Sequence, residues 1–280
     1  ALCDLGWFEA RGLFGQLAER GVLVRAGKAP AARAGWQRDA LQLHDATADF
    51  VFESTAQAAD NQARWVEAQR ARERAGDDEP PPSLYAQPRG PRISCAEHAD
   101  VLRRGGTADV PSRLRELAAA AFARQREVDF PPWGMHYLRT SPSLGMRHPV
   151  EGYFVLGDGD QPAGLYQVDV CEPSLVRVAD GDRRGALHGA CSFAGGADPA
   201  ACYVVLTIDW QRVMWKYRHA RYYAMALQDA GHLRATLLLC AALLGLAPRL
   251  ADDMIDAEVE ALLGRDALCE WPAAVVALYP

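Results

Sequence analysis

Between Arg221 and Leu246 the chain reads as one long helix, and in its second half the helix is apolar on nearly every side. A helix of that kind has no face to offer water and must be enclosed by protein around its circumference. Its apolar run, Leu237–Ala247, is 11 residues long, well short of the roughly 20 a membrane span requires. The helix is therefore expected at the centre of a core, and the flanking sequence must supply the layers that cover it.

The covering layers are legible as alternating elements. Tyr153–Leu156 and Gly164–Val170 read as strands, joined by a turn at Gly157-Asp-Gly-Asp. Cys202–Asp209 is a β-branched run that fits a buried strand, and Ala273–Tyr279 reads as a final strand. Helices are expected at Ala96–Arg104, Pro111–Glu127 and Asp256–Leu263. Interleaved helices and strands give an α+β fold class.

Upstream the pattern thins. Residues 1–27 read as a helix ending at Gly21 followed by a short strand, Val22–Arg25, which is either the last helix and wing of a winged helix or a generic helix–strand corner. Asn61–Ala75 is a charged, arginine-rich stretch that suits a solvated helix, and Asp77-Asp-Glu-Pro-Pro-Pro-Ser is a linker by composition. The expected division is 1–76 for an N-terminal region and connector, 77–94 for the linker and 95–280 for the main domain. The chain opens at Ala1 without a methionine, which leaves room for an upstream portion.

Composition removes several function classes. A net charge of −6 gives no basic footprint for nucleic acid. No basic segment followed by a cleavable apolar stretch stands at the start, and no membrane association is expected. The seven cysteines are odd in number, scattered and without a C-x-x-C pair, which argues against a disulfide framework and a zinc site and fits a reducing cytoplasm. No metal is expected. His232, alone on the apolar helix, reads as a satisfied core histidine.

Two segments can carry chemistry. Thr140-Ser-Pro-Ser-Leu-Gly-Met-Arg-His-Pro is a polar loop whose backbone amides and arginine suit a heteroaromatic ring or an anion, though Ser/Pro/Gly loops are common. Trp215-Lys-Tyr-Arg-His-Ala-Arg-Tyr-Tyr holds Lys216, one of only two lysines in the chain beside Lys28. Arg218 and Arg221 crowd it, and like charge with burial lowers a lysine's pKa toward the range of a working base. The same segment also reads as an aromatic, basic helix start that merely packs on a neighbour. The loop and the lysine are expected to be separate in space.

The order of these segments resembles a known family. Pro142-Ser-Leu-Gly-Met-Arg-His-Pro-Val-Glu-Gly-Tyr, then Gly164-Leu-Tyr-Gln-Val-Asp, then Lys216-Tyr217 with Arg221-Tyr-Tyr and Asp229-Ala-Gly-His, resembles the SagB-type branch of the FMN-dependent nitroreductase superfamily. Leu243-Leu-Gly-Leu and Leu262-Leu-Gly fit that branch's pattern toward the C-terminus, and Trp36 to His44 is similar to the segment that precedes its catalytic domain. The resemblance runs from about residue 85 to the end.

It implies a nitroreductase-like fold, a mainly antiparallel central sheet packed by helices and assembled as a homodimer, with FMN bound. It implies dehydrogenation of thiazoline or oxazoline rings in a ribosomally made precursor peptide. Lys216 and Tyr217 would be the catalytic pair, and Arg103, Arg104, Pro142, Ser143, Gly145 and Arg147 the cofactor-binding residues. The partners implied are the precursor with its leader and a cyclodehydratase or another peptide-modifying enzyme, with the N-terminal region as a leader-binding winged helix. One departure stands out: the family's arginine-rich opening reads Arg103-Arg-Gly-Gly-Thr-Ala-Asp-Val, with Ala108 where a later arginine is usual. Losing one charge-assisted phosphate contact costs about 1.5–3 kcal/mol. That keeps two other readings open: a flavin reductase of another modified residue, and a flavin-free peptide-binding scaffold.

Overall fold

In a computed structural model of the protein, residues 86–95, 109–129, 135–194, 199–217 and 222–280 are described, with scattered helical positions between 63 and 74. Strands β1 (Arg92–Ser94), β4 (Val150–Leu156), β5 (Gly164–Asp169), β6 (Ser174–Asp180), β8 (Cys202–Asp209), β9 (Ala247–Leu250) and β11 (Glu270–Tyr279) form one sheet in the order β1-β6-β5-β4-β8-β11-β9. Every neighbouring pair in it is antiparallel. Two small ribbons accompany it: β2 (Arg124–Asp129) with β3 (Met135–Arg139), and β7 (Cys191–Ser192) with β10 (Asp253–Met254).

The alternation along β4 and β8 sorts the core into two layers. Val150 and Phe154, with Val204, Leu206 and Ile208, face helices α1 (Val110–Phe122) and α4 (Tyr222–Leu243). Tyr153, Val155, Tyr203 and Val205 face the short helices α2 (Arg184–Gly189) and α5 (Asp256–Leu263). Strands buried on both faces read as continuous apolar runs, which is why Cys202–Asp209 was legible. α1 starts at a real cap, Asp109 accepting from the Ser112 amide at 2.7 Å, with proline in the first turn. It lies close on the sheet because β4 has Gly152 there, where a Cβ would come 2.3 Å from the Phe122 ring.

The expected α+β class and mainly antiparallel sheet are what the chain adopts. Four details differ. The helix expected over Pro111–Glu127 ends at Phe122, because from Arg124 the chain leaves to pair with β3 and the Arg124 amide donates to the Val170 carbonyl at 2.9 Å. α4 stops at Leu243 rather than Leu246, where Gly245 turns at φ +73° and the Leu246 amide closes on Ala241. The helix is also not enclosed all round: Ala226, Ala230, Leu233, Leu237 and Ala241 are buried, while Leu239 and Leu243 are 67% and 74% exposed. His232 is exposed as well, not a core histidine.

Residues 92–94, expected at the end of the linker, form the edge strand β1. The described positions of the 61–75 stretch are helical and mostly exposed, with Arg74 paired to Glu67 at 2.6 Å. The winged-helix region, the Trp36–His44 segment, the proline run and the helix expected at Ala96–Arg104 lie outside the described residues. No helix among the described residues is long and apolar enough to cross a membrane.

Candidate functional site

Helix α3 (Trp210–Lys216) follows β8 without a loop, capped by Asp209, whose side chain accepts from the Gln211 amide at 3.0 Å. The sheet thus delivers Lys216 and Tyr217 to a defined place, one short helix beyond β8. Opposite stands the connection between β3 and β4, which tightens into a 3-10 turn at Leu144–Met146. Gly145, Met146 and His148 all have positive φ, at 60°, 54° and 45°. Only the glycine adopts that region without cost, so the other two are held there by their surroundings.

Loop and helix are in contact, contrary to the expected separation. The Lys216 Nζ donates to the Gly145 carbonyl at 3.3 Å, and a Cβ on Gly145 would fall 2.1 Å from the Tyr217 hydroxyl oxygen. The Arg147 Nε donates to the Arg212 carbonyl at 2.7 Å, and its guanidinium lies 5.2 Å from the centre of the Trp215 ring. Arg147 is buried, and its Nη2 finds no hydrogen-bond partner among the described residues. Of the loop amides expected to be exposed, those of Leu144, Met146 and His148 are engaged internally, by Asp229 and by Ser143. Pro142 lies beside Ser141 and Ser143 on a small cavity also lined by Asp229 and Leu233.

These contacts set the charge state of the site. Burial, and then the neighbouring Arg147 charge, hold Lys216 below the ordinary lysine range. Among the described residues the crowding cation is Arg147; Arg218 and Arg221, expected in that role, lie outside them. Burial lifts the Tyr217 phenol, Asp229 lifts it further and Arg147 opposes. Arg147 itself is pushed down to about 10, first by burial and then by Arg212, so it keeps its charge at neutral pH. His148 drops to about 3, mainly through burial, and stays neutral; its Nε2 lies 2.7 Å from the Tyr137 carbonyl, so it carries the proton and donates it.

Behind the loop lies a buried charge network that the sequence did not reveal. Arg212 pairs with Glu151 and, at 3.0 Å, with Asp209, and donates to the His148 carbonyl at 2.9 Å. It borders an open polar cleft of about 420 Å³ that Arg89, Gln167, Arg265 and Glu270 also line. Arg103 and Arg104 lie outside the described residues. Asp229, quoted above only as part of a motif, had no role assigned from the sequence; the signal was a carboxylate on the helix face otherwise marked by Ala226, Ala230 and Leu233. Among the described residues no cluster of His, Cys, Asp or Glu could hold a metal, and no cysteine forms a disulfide.

No family model matches the chain. The trifolitoxin-processing protein TfxB of Rhizobium leguminosarum bv. trifolii is 32% identical over 144 residues, 49% of this chain and 38% of that protein. A crystal structure described as a nitroreductase of Anabaena variabilis superposes with a TM-score of 0.61 at 26% identity, over 71% of this chain and 40% of that one. This chain therefore spans about two fifths of the length of each. A structure of the E. coli microcin synthetase McbBCD complex with truncated pro-MccB17 bound gives a TM-score of 0.50 at 17% identity, covering 95% of this chain and 86% of that one.

Proposed function

We propose that this chain, which has the nitroreductase fold and whose motif order resembles the SagB-type branch, is an FMN-dependent dehydrogenase that aromatises thiazoline and oxazoline rings in a precursor peptide. The observation that carries the reading is the half-buried Lys216, set against the Gly145 carbonyl beside Tyr217 and held below its usual pKa next to a buried arginine.

The residues present fit a flavin. Arg147 keeps a buried donor with no partner among the described residues, and it puts positive charge beside a turn whose glycine leaves no room for a side chain. Pro142, Ser143, Gly145 and Arg147 would hold the ring side, and Arg103 and Arg104 the phosphate. When bound, the flavin supplies a hydride acceptor. The chain's own residues supply the rest. Neutral Lys216 can donate one N–H to Gly145 while its lone pair takes the acidic ring proton of the azoline. Tyr217, lifted by burial and Asp229, keeps its phenolic proton and can donate it to the substrate.

The N-terminal region would bind the leader, with a cyclodehydratase or a similar enzyme as partner and the cytoplasm as the setting. Ala108, at the position where the pattern of the resembled family has an arginine, favours a second reading, a flavin-free peptide-binding scaffold. Absorbance at about 450 nm in the purified protein separates the two, since only a bound flavin absorbs there. With flavin present, Lys216→Arg tests the base, because a guanidinium does not deprotonate. Oxidation of a thiazoline peptide is expected to fall by about 10²-fold or more with the flavin retained. Normal turnover by that variant removes the mechanism. Loss of flavin along with activity makes Lys216 a cofactor contact.

A further inference from the structure

The buried face of α4 is apolar at Ala226, Ala230, Leu233, Leu237 and Ala241, and Asp229 interrupts it. A carboxylate buried there is costly unless its oxygens are engaged. They are: the Ser143 hydroxyl donates to Oδ2 at 2.6 Å and the Leu144 amide to Oδ1 at 3.0 Å, across 85 and 86 residues of sequence. The Ser143 Oγ in turn accepts from the His148 amide at 2.8 Å. One carboxylate thereby ties both ends of the turn that holds Gly145, Met146 and His148 at positive φ. Met146 and His148 are strained there, and such backbone persists only where its surroundings over-determine it.

We infer that Asp229 is a positioning residue, which holds the 143–148 turn in the one form that presents the Gly145 carbonyl to Lys216. The inference rests on the reading of Lys216 as the base. Asp229 acts through Ser143 and the turn. Among the described residues, the charged or titratable groups facing Lys216 and Tyr217 are Arg147, from the turn, and Asp229, from α4, with the Lys216 Nζ itself 5.6 Å from the Tyr217 ring centre.

The test uses the full chain with saturating FMN. Asp229→Asn keeps the shape but leaves one acceptor oxygen for two donors, the Ser143 hydroxyl and the Leu144 amide, and Ser143→Ala removes the bridge from the other side. Each is expected to lower kcat for a thiazoline peptide by about 10-fold with little change in KM, and the double variant to be no slower than the slower single, because both break one linkage. Losing the Asp229 charge should also let Tyr217 ionise more easily, moving the alkaline limb of kcat to lower pH in Asp229→Asn and not in Ser143→Ala.

Hydrogen exchange supplies a readout that needs no turnover. The 143–148 segment should lose protection in both variants while β8 keeps its own. Losses that multiply, an unmoved alkaline limb, or unchanged protection of 143–148 would each overturn the inference. Should Lys216→Arg prove fully active, the base reading fails, and lost protection in Asp229→Asn still reports that the turn is held from α4.

Discussion

Arg147 is the residue whose charge most directly changes what its neighbours can do. A base works only when it has shed its proton, so each step that lowers the Lys216 pKa extends its neutral form to more acidic solution. Burial does most of this and Arg147 adds to it. Replacing Arg147 by methionine removes the charge and leaves much of the bulk. Lys216 should then hold its proton to higher pH, and the acidic limb of kcat/KM, measured at saturating FMN, should move upward. An unmoved limb would mean that burial alone tunes the lysine. At this scale the sequence was informative about identity and poor about neighbours. Lys216 stood out as a rare lysine, but a cation beside it comes from a loop about 70 residues away, which nothing in its own segment announced.

At the scale of elements, the site depends on how α3 is tied to β4. Glu151 and Arg212 are both almost wholly buried, and Arg212 also reaches Asp209 and the His148 carbonyl. A buried ion pair adds little beyond an apolar pair of the same shape, yet removing one partner strands the other charge. Glu151→Gln should therefore lower stability by about 3 kcal/mol, read as a lower denaturation midpoint with an unchanged denaturant slope. A midpoint within error of the wild type would show that Asp209 alone compensates Arg212. Elements with strong period or β-branched runs were legible: β4, β5, β8, α5 and most of α4. β2 was not. Its alternating charged residues suit a helix as well as an exposed ribbon, and only pairing with β3 decides between them.

For the whole molecule, the unfinished surface is the outer side of α4. Leu239 and Leu243 project from a helix too apolar to stand in water, and Tyr223 near its start is also exposed. We expect this face to be the interface of a homodimer, since obligate interfaces resemble a core cut in half. Light scattering at micromolar concentration should give a dimer for the wild type and a monomer for the Leu239→Glu, Leu243→Glu double variant. A wild-type monomer at that concentration would sink the expectation and leave the apolar face to another partner.

The sequence alone determined the α+β class, the buried strands and the place of the long apolar helix, because apolar and β-branched runs record which segments leave water, and that is a local property of the chain. Through motif order it also singled out Pro142, Ser143, Gly145, Arg147, Lys216 and Tyr217. Only the tertiary structure decided that the turn and the lysine touch, that Asp229 anchors the turn and that Glu151 faces Arg212. Those contacts join residues about 60 to 90 positions apart. A hydrogen bond or an ion pair leaves no periodic trace in either segment, so nothing along the chain marks its partner until the sheet brings the two together.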